Sequence, residues 1–195
     1  DWAEWGKLLL IRTEDAPRFV EVGNAAAEAG GDSSKLLAEA DGPQPIRALV
    51  LSGAREDRAL LRTELEAAGI AAFVATGADA ALEAALDIQP QLLVADWSDE
   101  GERVVRGLRE MRIGRGAYVI CVLAGEDEAD LLAASAAGAD DFLVRPLQRA
   151  VLTVRLRACL RTLVLQQELE HEREELRHFA AELSISNRRL QEAAL

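Results

Sequence analysis

Asp96 is the residue whose type and position most clearly allow chemistry. It follows the apolar run Gln91–Ala95, and a short apolar run bounded by turn signals favours a strand buried on both faces of a parallel sheet. Open α/β sheets place their ligands and reacting groups outside the carboxyl ends of such strands. Whether Asp96 takes part in chemistry or has only a structural role therefore depends on the residues around it at that edge.

The other chemically versatile side chains fit structural roles. His171 and His178 are seven residues apart, roughly on one helix face, and are predicted to be solvated rather than metal ligands. Cys121 and Cys159 lack any metal-type spacing and are predicted to be buried small hydrophobes. The sequence has no Gly-rich phosphate loop and no nucleophile–base pair. We therefore expect no enzyme activity of its own, no metal site and no cofactor.

The elements that must position Asp96 are regular from residue 46 onward. Apolar runs alternate with helical patterns, and glycines at 69 and 138 end two of the predicted helices. This alternation favours βαβ units with right-handed crossovers, hence a doubly wound α/β domain with a five-stranded parallel sheet over residues 46–160. The predicted strands are Ile46–Leu51, Ile70–Ala75, Gln91–Ala95, Tyr118–Leu123 and Asp141–Val144, and the predicted helices between them are Arg55–Ala68, Ala78–Leu86, Glu102–Met111 and Asp127–Ala137.

A long helix is predicted from Leu147 to the end of the chain, because no Pro or Gly follows Pro146. The pattern of residues 161–195, in which leucines recur every seven residues, predicts a coiled-coil stalk. With these leucines at position d, position a holds Gln166, Arg173, Ala180 and Asn187, and Glu172 and Arg177 could bridge parallel partners. The alternative is a single solvated helix. The predicted stalk positions are Leu169, Leu176, Leu183, Asn187 and Leu190.

Residues 1–45 carry the weakest pattern. Ala16–Ala29 looks helical, Lys35–Ala40 could form a short capped helix, and the Pro- and Gly-containing stretch 41–45 reads as a linker. We expect an N-terminal extension or the remnant of a preceding domain. Because the first residue is Asp and not Met, we expect the chain to be a piece of a longer protein.

The composition excludes several classes of partner. Of the 195 residues, 50% are hydrophobic, enough to build a core, and the formal net charge is -12. An acidic chain is a poor partner for nucleic acid phosphates or an anionic membrane surface. No apolar stretch reaches about 18 residues and no leader sequence is visible, so a cytoplasmic protein is expected.

In these features the chain resembles a response-regulator receiver domain. The resemblance rests on the strand ending in Asp96, on the run Ala137–Pro146 and on the five-unit alternation, and it covers residues 46–160. It implies a flavodoxin-like sheet of order 2-1-3-4-5 and an Asp96 that accepts a phosphoryl group beside Mg²⁺. It also implies a cis peptide before Pro146 and dimerisation through the face of the fourth and fifth helices.

Several parts of the implied phosphorylation site are missing. Ser52 and Gly53 stand where the family has two magnesium-binding acids, and Ala124 stands where it has Thr or Ser. Arg145 replaces a lysine and keeps the charge with a different shape and reach. Phosphoryl transfer depends on charge neutralisation, mostly by the metal. We therefore expect a degenerate receiver, or pseudoreceiver, without the switch.

Two further acids lie close in the sequence but are expected to point elsewhere. Glu56 and Asp57 fall in the first turn of the first helix and are predicted to face away from the pocket. Asp96 is then predicted to have a structural role, paired with Arg145 across the end of the sheet. The phospho-acceptor position would be vestigial.

The expected function is signal relay without catalysis. A degenerate receiver would form a homodimer and pass a signal through the stalk to an output domain beyond Leu195, with other signalling proteins as further partners. The end of the chain resembles the helix that precedes diguanylate cyclase domains, and similar helices precede histidine kinase and phosphatase outputs. The alternative is a working receiver that takes phosphate on Asp96 from a histidine kinase and uses Mg²⁺.

Overall fold

The computed structural model describes residues 20–22 and 46–193, with side chains from residue 46 to 184. Among these residues, six parallel strands form one sheet of order β1-β3-β2-β4-β5-β6. The strands are β1 Val20–Val22, β2 Arg47–Leu51, β3 Ala71–Ala75, β4 Leu92–Asp96, β5 Tyr118–Leu123 and β6 Asp141–Val144. The helices are α1 Arg55–Ala67, α2 Ala78–Ile88, α3 Asp99–Glu110, α4 Glu128–Ala137 and α5 Arg149–Ala193, with a 3-10 turn at Arg112–Gly114.

The five predicted strands are confirmed, and so is their order 2-1-3-4-5, which corresponds to β3-β2-β4-β5-β6. The register runs evenly across the centre, with Val50 opposite Val94 and Val94 opposite Ile120. Strands β2, β4 and β5 are buried on both faces, which is the reason their sequences are continuously apolar rather than alternating.

A sixth strand was not predicted. β1 lies parallel to the outer edge of β3, with Val20 opposite Phe73. The helix expected over Ala16–Ala29 is therefore wrong at residues 20–22, where β-branched valines pair with a sheet edge and tertiary pairing overrides the Ala-rich local pattern. The rest of the predicted extension and linker lies outside the described residues.

One face of the sheet is covered by α2, α3 and α4. Their buried residues form a single core cluster with alternate strand residues such as Leu49, Leu93 and Cys121. On the opposite face, α1 buries Leu61 and Leu65 and the start of α5 buries Leu152 and Leu156. Helices thus cover both faces, as the doubly wound prediction required.

Helix α3 begins three residues earlier than predicted, directly after the strand that ends in Asp96. The Ser98 Oγ accepts a hydrogen bond from the Gly101 backbone N–H at 3.2 Å, and the first turn carries acids. Both features stabilise a helix N-terminus. A Cβ at Gly101 would overlap the Asp96 carbonyl oxygen, so a glycine is needed where this helix passes close to the strand end.

Helix α5 runs without interruption from Arg149 to Ala193. The chain divides into two compact units within this helix, between Arg157 and Ala158. In the described part of the chain, no helix combines the length and the apolar character needed to cross a membrane.

Candidate functional site

The candidate site lies at the carboxyl edge of the sheet, around the end of β4. Asp96 is the last residue of β4, and its neighbours in the sheet are β2 and β5. Ser52 follows β2, Ala124 follows β5 and Arg145 follows β6. Parallel strands end on one edge, so the topology alone brings the predicted positions together.

Both carboxylate oxygens of Asp96 are engaged by the protein itself. The Arg145 Nη2 lies 2.6 Å from Oδ1, and the Gly53 backbone N–H donates to Oδ2 at 2.9 Å. The Asp96 side chain is 16% exposed. The predicted pairing of Asp96 with Arg145 is therefore present as an ion pair.

Arg145 holds a second carboxylate that was expected elsewhere. Its Nε donates to the Asp57 Oδ2 at 2.7 Å, and the Asp57 side chain is only 12% exposed. The prediction that Asp57 faces away from the pocket is wrong, because the long guanidinium reaches the first turn of α1. Glu56 is exposed, as expected.

The guanidinium of Arg145 therefore sits as one cation between two acids. Burial alone would lower the pKa of the Arg145 guanidinium, but the hydrogen bonds to Asp57 and Asp96 and their negative charges outweigh burial and raise it. We call Asp57, Arg145 and Asp96 the arginine clamp. The clamp ties the first turn of α1, the end of β4 and the segment after β6 to one another.

The segment after β2 is held by another arginine. Arg58 Nη1 donates to the carbonyl oxygens of Ser52 at 2.8 Å and Gly53 at 3.0 Å. Ser52 is buried, and its Oγ has no hydrogen-bond partner among the described residues. Two backbone carbonyls that could face a cation are thus taken up by a side chain of α1.

The remaining two sides of the pocket follow β5 and β6. Ala124 is exposed and brings no hydroxyl. The Arg145 backbone N–H donates to the Leu123 carbonyl at 3.0 Å, which fixes the start of the segment that carries the clamp. The Arg145–Pro146 peptide is cis, the isomer that the resemblance implies.

These donors do not fit a magnesium site of the family's type. Mg²⁺ requires oxygen ligands in near-octahedral geometry, usually with one or two carboxylates directly bound. Here the two available carboxylates share a guanidinium. Within residues 20–22 and 46–193 there is no group of three or more His, Cys, Asp or Glu side chains that could hold a metal ion.

A second polar cluster, missed by the sequence analysis, joins α1 to the first turns of α5. The Glu64 carboxylate is 6% exposed and accepts from Arg149 Nε at 2.6 Å and from the Thr153 Oγ at 2.7 Å. The hydrogen bond from the Thr153 hydroxyl and the hydrogen bond and charge of Arg149 lower the pKa of Glu64, and they outweigh burial, which raises it. The sequence feature that could have indicated this cluster is Glu64, an acidic residue on the otherwise apolar face of α1.

The predicted stalk positions lie on the part of α5 beyond Ala158. Leu169, Leu176 and Leu183 are 49%, 67% and 55% exposed, and Asn187 and Leu190 lie in the same helix. His171 and His178 are exposed and lie near Glu175 and Glu182, one turn further on. Cys121 and Cys159 are buried, as predicted, and burial raises the pKa of the Cys121 thiol to about 12.

Comparison with known sequences gives relatives that are transcriptional regulatory proteins. The chain is 33% identical over 113 residues to the KDP operon transcriptional regulatory protein KdpE of Escherichia coli K12, covering 58% of this chain and 50% of that protein. It is 27% identical over 121 residues to the transcriptional regulatory protein ResD of Bacillus subtilis 168, covering 62% and 50%. The chain spans about half the length of these curated relatives. No protein-family profile matches it.

Comparison with solved structures gives the same fold. A putative response regulator from Chloroflexus aurantiacus J-10-fl superposes with a TM-score of 0.56 at 22% identity, covering 60% of this chain and 98% of that one. The receiver domain of a modulated diguanylate cyclase from Desulfovibrio desulfuricans G20 gives 0.53 at 19%, covering 63% and 99%. Together with the sequence relatives, these likenesses show that the α/β unit has the CheY-like fold of response-regulator receiver domains.

Proposed function

We propose that this receiver domain is degenerate and relays signals by contact rather than by phosphorylation. The observation that carries the proposal is the arginine clamp: Arg145 lies 2.6 Å from Asp96 and 2.7 Å from Asp57. In this proposal the guanidinium supplies permanently the positive charge that a bound metal would supply reversibly. The position of Asp96 is that of a phospho-acceptor, but its role is structural.

Electrostatics support this assignment. An incoming phosphoryl group is anionic, and its transfer to a carboxylate depends on cations that neutralise charge on both groups. One guanidinium shared by two carboxylates leaves a net negative charge in the pocket. The ion pair between Arg145 and Asp96 would also have to break before Asp96 could react.

The second part of the proposal is a homodimer. Exposed apolar side chains occur on α4 and on the first turns of α5, at Leu131, Leu132, Val151 and Val154, which are 41–63% exposed. We propose that this fourth-helix and fifth-helix face and a parallel coiled coil of the stalk form the contacts between two copies. Other signalling proteins remain candidate partners.

The third part is the destination of the signal. We propose an output domain beyond Leu195, most simply a diguanylate cyclase, since one structural neighbour is the receiver domain of a modulated diguanylate cyclase. A dimeric stalk would suit a catalytic domain that works as a facing pair. The sequence relatives are named as transcriptional regulators, so a DNA-binding output is the competing possibility for the parent protein.

The test is a phosphoryl-mimic titration of the whole chain. Beryllofluoride with Mg²⁺ is added, and tryptophan fluorescence and calorimetry report binding, because Trp97 directly follows Asp96. We expect no saturable signal for the native chain and none for Asp96→Asn. Stoichiometric binding that disappears in Asp96→Asn would overturn the degenerate assignment.

The alternative is a working receiver, and one observation favours it. Asp57 is a second carboxylate joined to Asp96 through one side chain, so an acidic pair exists even though Ser52 and Gly53 replace the usual acids. In this alternative Arg145 would swing away and Mg²⁺ would bind. Acetyl phosphate with Mg²⁺ should then label Asp96, and mass spectrometry should show one added phosphoryl group per chain.

A further inference from the structure

The second compact unit of the chain carries an apolar stripe along α5. Its members are Leu165, Leu169, Leu176, Phe179 and Leu183, which are 49–67% exposed. The spacings between them are four, seven, three and four residues. At 100° per residue these side chains leave the helix within a sector of about 80°. Glu172 falls inside that sector, between the directions of Leu165 and Phe179.

Two heptad assignments are compatible with the leucine repeat, and they differ in how they treat this stripe. If the leucines occupy d, the a positions are Gln166, Arg173 and Ala180, and Phe179 falls at g, outside the seam. If the leucines occupy a, the d positions are Leu165, Glu172 and Phe179. Only the second assignment places every large exposed apolar side chain of the stripe inside a seam.

We propose that the stripe is the contact surface for a second copy of this chain, in a parallel pair with Leu169, Leu176 and Leu183 at a and Leu165 and Phe179 at d. The proposal deepens the proposed function, since it rests on the dimeric stalk, and it replaces the assignment of the leucines to d. Burial of five large side chains per copy supplies the driving force for association.

Charge selects the orientation of the pair. In this assignment the g positions are Glu168, Glu175 and Glu182, and the e position beside the first of them is Arg173. A parallel pair sets g against e of the partner, so Glu168 meets Arg173. An antiparallel pair would set the row of glutamates against the same row in the partner, which is repulsive.

Charge also makes the association weak and dependent on salt. Residues 165–184 hold six glutamates and two arginines, and the Glu172 carboxylates of the two copies face each other in the seam. Added salt screens this repulsion and should tighten the pair. A basic helix of another protein on the same stripe would show the opposite dependence.

The test compares two neighbouring substitutions in the whole chain, Glu172→Leu and Arg173→Leu. Sedimentation equilibrium should show that Glu172→Leu tightens dimerisation by at least about tenfold, because a leucine replaces a charge at d in both copies. Arg173→Leu, at e, removes the pair with Glu168 and should weaken dimerisation by up to about threefold rather than tighten it. Both variants keep the helix, since leucine is a strong helix former.

The outcomes separate this assignment from the proposed function. If Arg173→Leu tightens dimerisation and Glu172→Leu does not, the assignment of the leucines to a is wrong. The proposed dimeric relay would remain intact. A chain that stays monomeric at high concentration in high salt, with both variants also monomeric, would overturn the dimeric stalk itself and leave the stripe to a helix of another protein.

A second measurement reports the seam directly. Single cysteines at 172 and 173, introduced as Glu172→Cys and Arg173→Cys, are oxidised under mild conditions. The native chain is the background, because Cys121 and Cys159 are buried. Disulfide geometry demands close, facing Cβ atoms, so Glu172→Cys should cross-link faster. Faster cross-linking of Arg173→Cys would contradict the assignment.

Discussion

An arginine organises each end of the sheet, and the two arginines have different kinds of partner. Arg145, after β6, contacts two carboxylates at the carboxyl edge. Arg109, at the end of α3, donates mainly to backbone carbonyls that precede β5 and β6, including those of Ala117 at 2.7 Å and Gly138 at 2.7 Å. It meets one acid, Asp140, at 2.6 Å. The first arginine balances charge, and the second completes backbone hydrogen bonding.

The difference between the two arginines distinguishes a contact that the fold requires, at Arg109, from a contact that the fold does not require, at Arg145. Carbonyls that precede a strand need donors in any protein of this architecture, because buried backbone acceptors are costly when unpaired. Paired acids at a carboxyl edge have no such structural necessity. In the proposed function, the cation fixed between them takes the place of a bound metal ion.

The largest expected effect is on the structural arginine. Arg109→Met keeps the aliphatic stem but leaves the carbonyls of Ala117 and Gly138 without their donor, and we expect a loss of about 3 kcal/mol in the free energy of unfolding. Urea unfolding followed by circular dichroism measures it. The control is Arg106→Met, whose exposed pair with Glu102 should be worth less than about 1 kcal/mol. Equal losses of unfolding free energy in Arg109→Met and Arg106→Met would mean that Arg109 contributes no more than an exposed ion pair. The structural role given to Arg109 would then fail.

The matched change in the clamp should cost less and respond to magnesium. Arg145→Met leaves Asp57 and Asp96 without their shared cation, and we expect a loss of about 1–2 kcal/mol, reduced by the partial exposure of the pair. Magnesium at several times its dissociation constant should restore about 1 kcal/mol, because the two freed carboxylates can share it. Urea unfolding with and without Mg²⁺ gives both quantities.

Two controls make the magnesium effect specific. Arg109→Met should show no magnesium-dependent gain, since its freed partners are mainly carbonyls. Adding Asp96→Asn to Arg145→Met should abolish the gain, since one carboxylate is removed. A gain of the same size in the native chain would show that Mg²⁺ binds without displacing Arg145, and the charge-replacement argument would fail.

The sequence was sufficient for five of the six strands that the structure describes and for the position of Asp96 at the end of one of them. Continuous apolar runs located the central strands, and the carboxyl-edge rule pointed to Asp96. The resemblance to receiver domains supplied the positions of Ser52, Ala124 and Arg145. Asp57 was missed because a residue in the first turn of a helix can face several directions. Only the reach of a side chain 88 residues away selects one of them. Strand β1 was missed because a three-residue edge strand depends on its partner β3 more than on its own sequence.

The stalk shows a different limit of the sequence. A repeat of seven locates the leucines but does not say whether they occupy a or d, and the choice depends on residues between them. Phe179 and Leu165 favour position a for the leucines, because only that assignment places both of them in the seam. In both assignments a charged residue, Glu172 or Arg173, falls inside the seam, which is consistent with a weak rather than a permanent pair.

The smallest expected effect concerns the Glu64 cluster, which neither arginine touches and which connects α1 to α5. The pKa of Glu64 is lowered in the folded protein, chiefly by the Thr153 hydroxyl. A lowered pKa stabilises the fold above the unfolded value of about 4.3, and this contribution disappears as the pH falls through the folded value. The difference in unfolding free energy between the native chain and Glu64→Gln should therefore be constant from pH 8 to pH 5 and shrink below pH 4. In a Thr153→Val background, the difference in unfolding free energy between the chain with Glu64 and its Glu64→Gln variant should be smaller at neutral pH as well, because the hydroxyl donor is absent. A difference that persists unchanged to pH 3 would mean that Glu64 acts by packing and not by its charge.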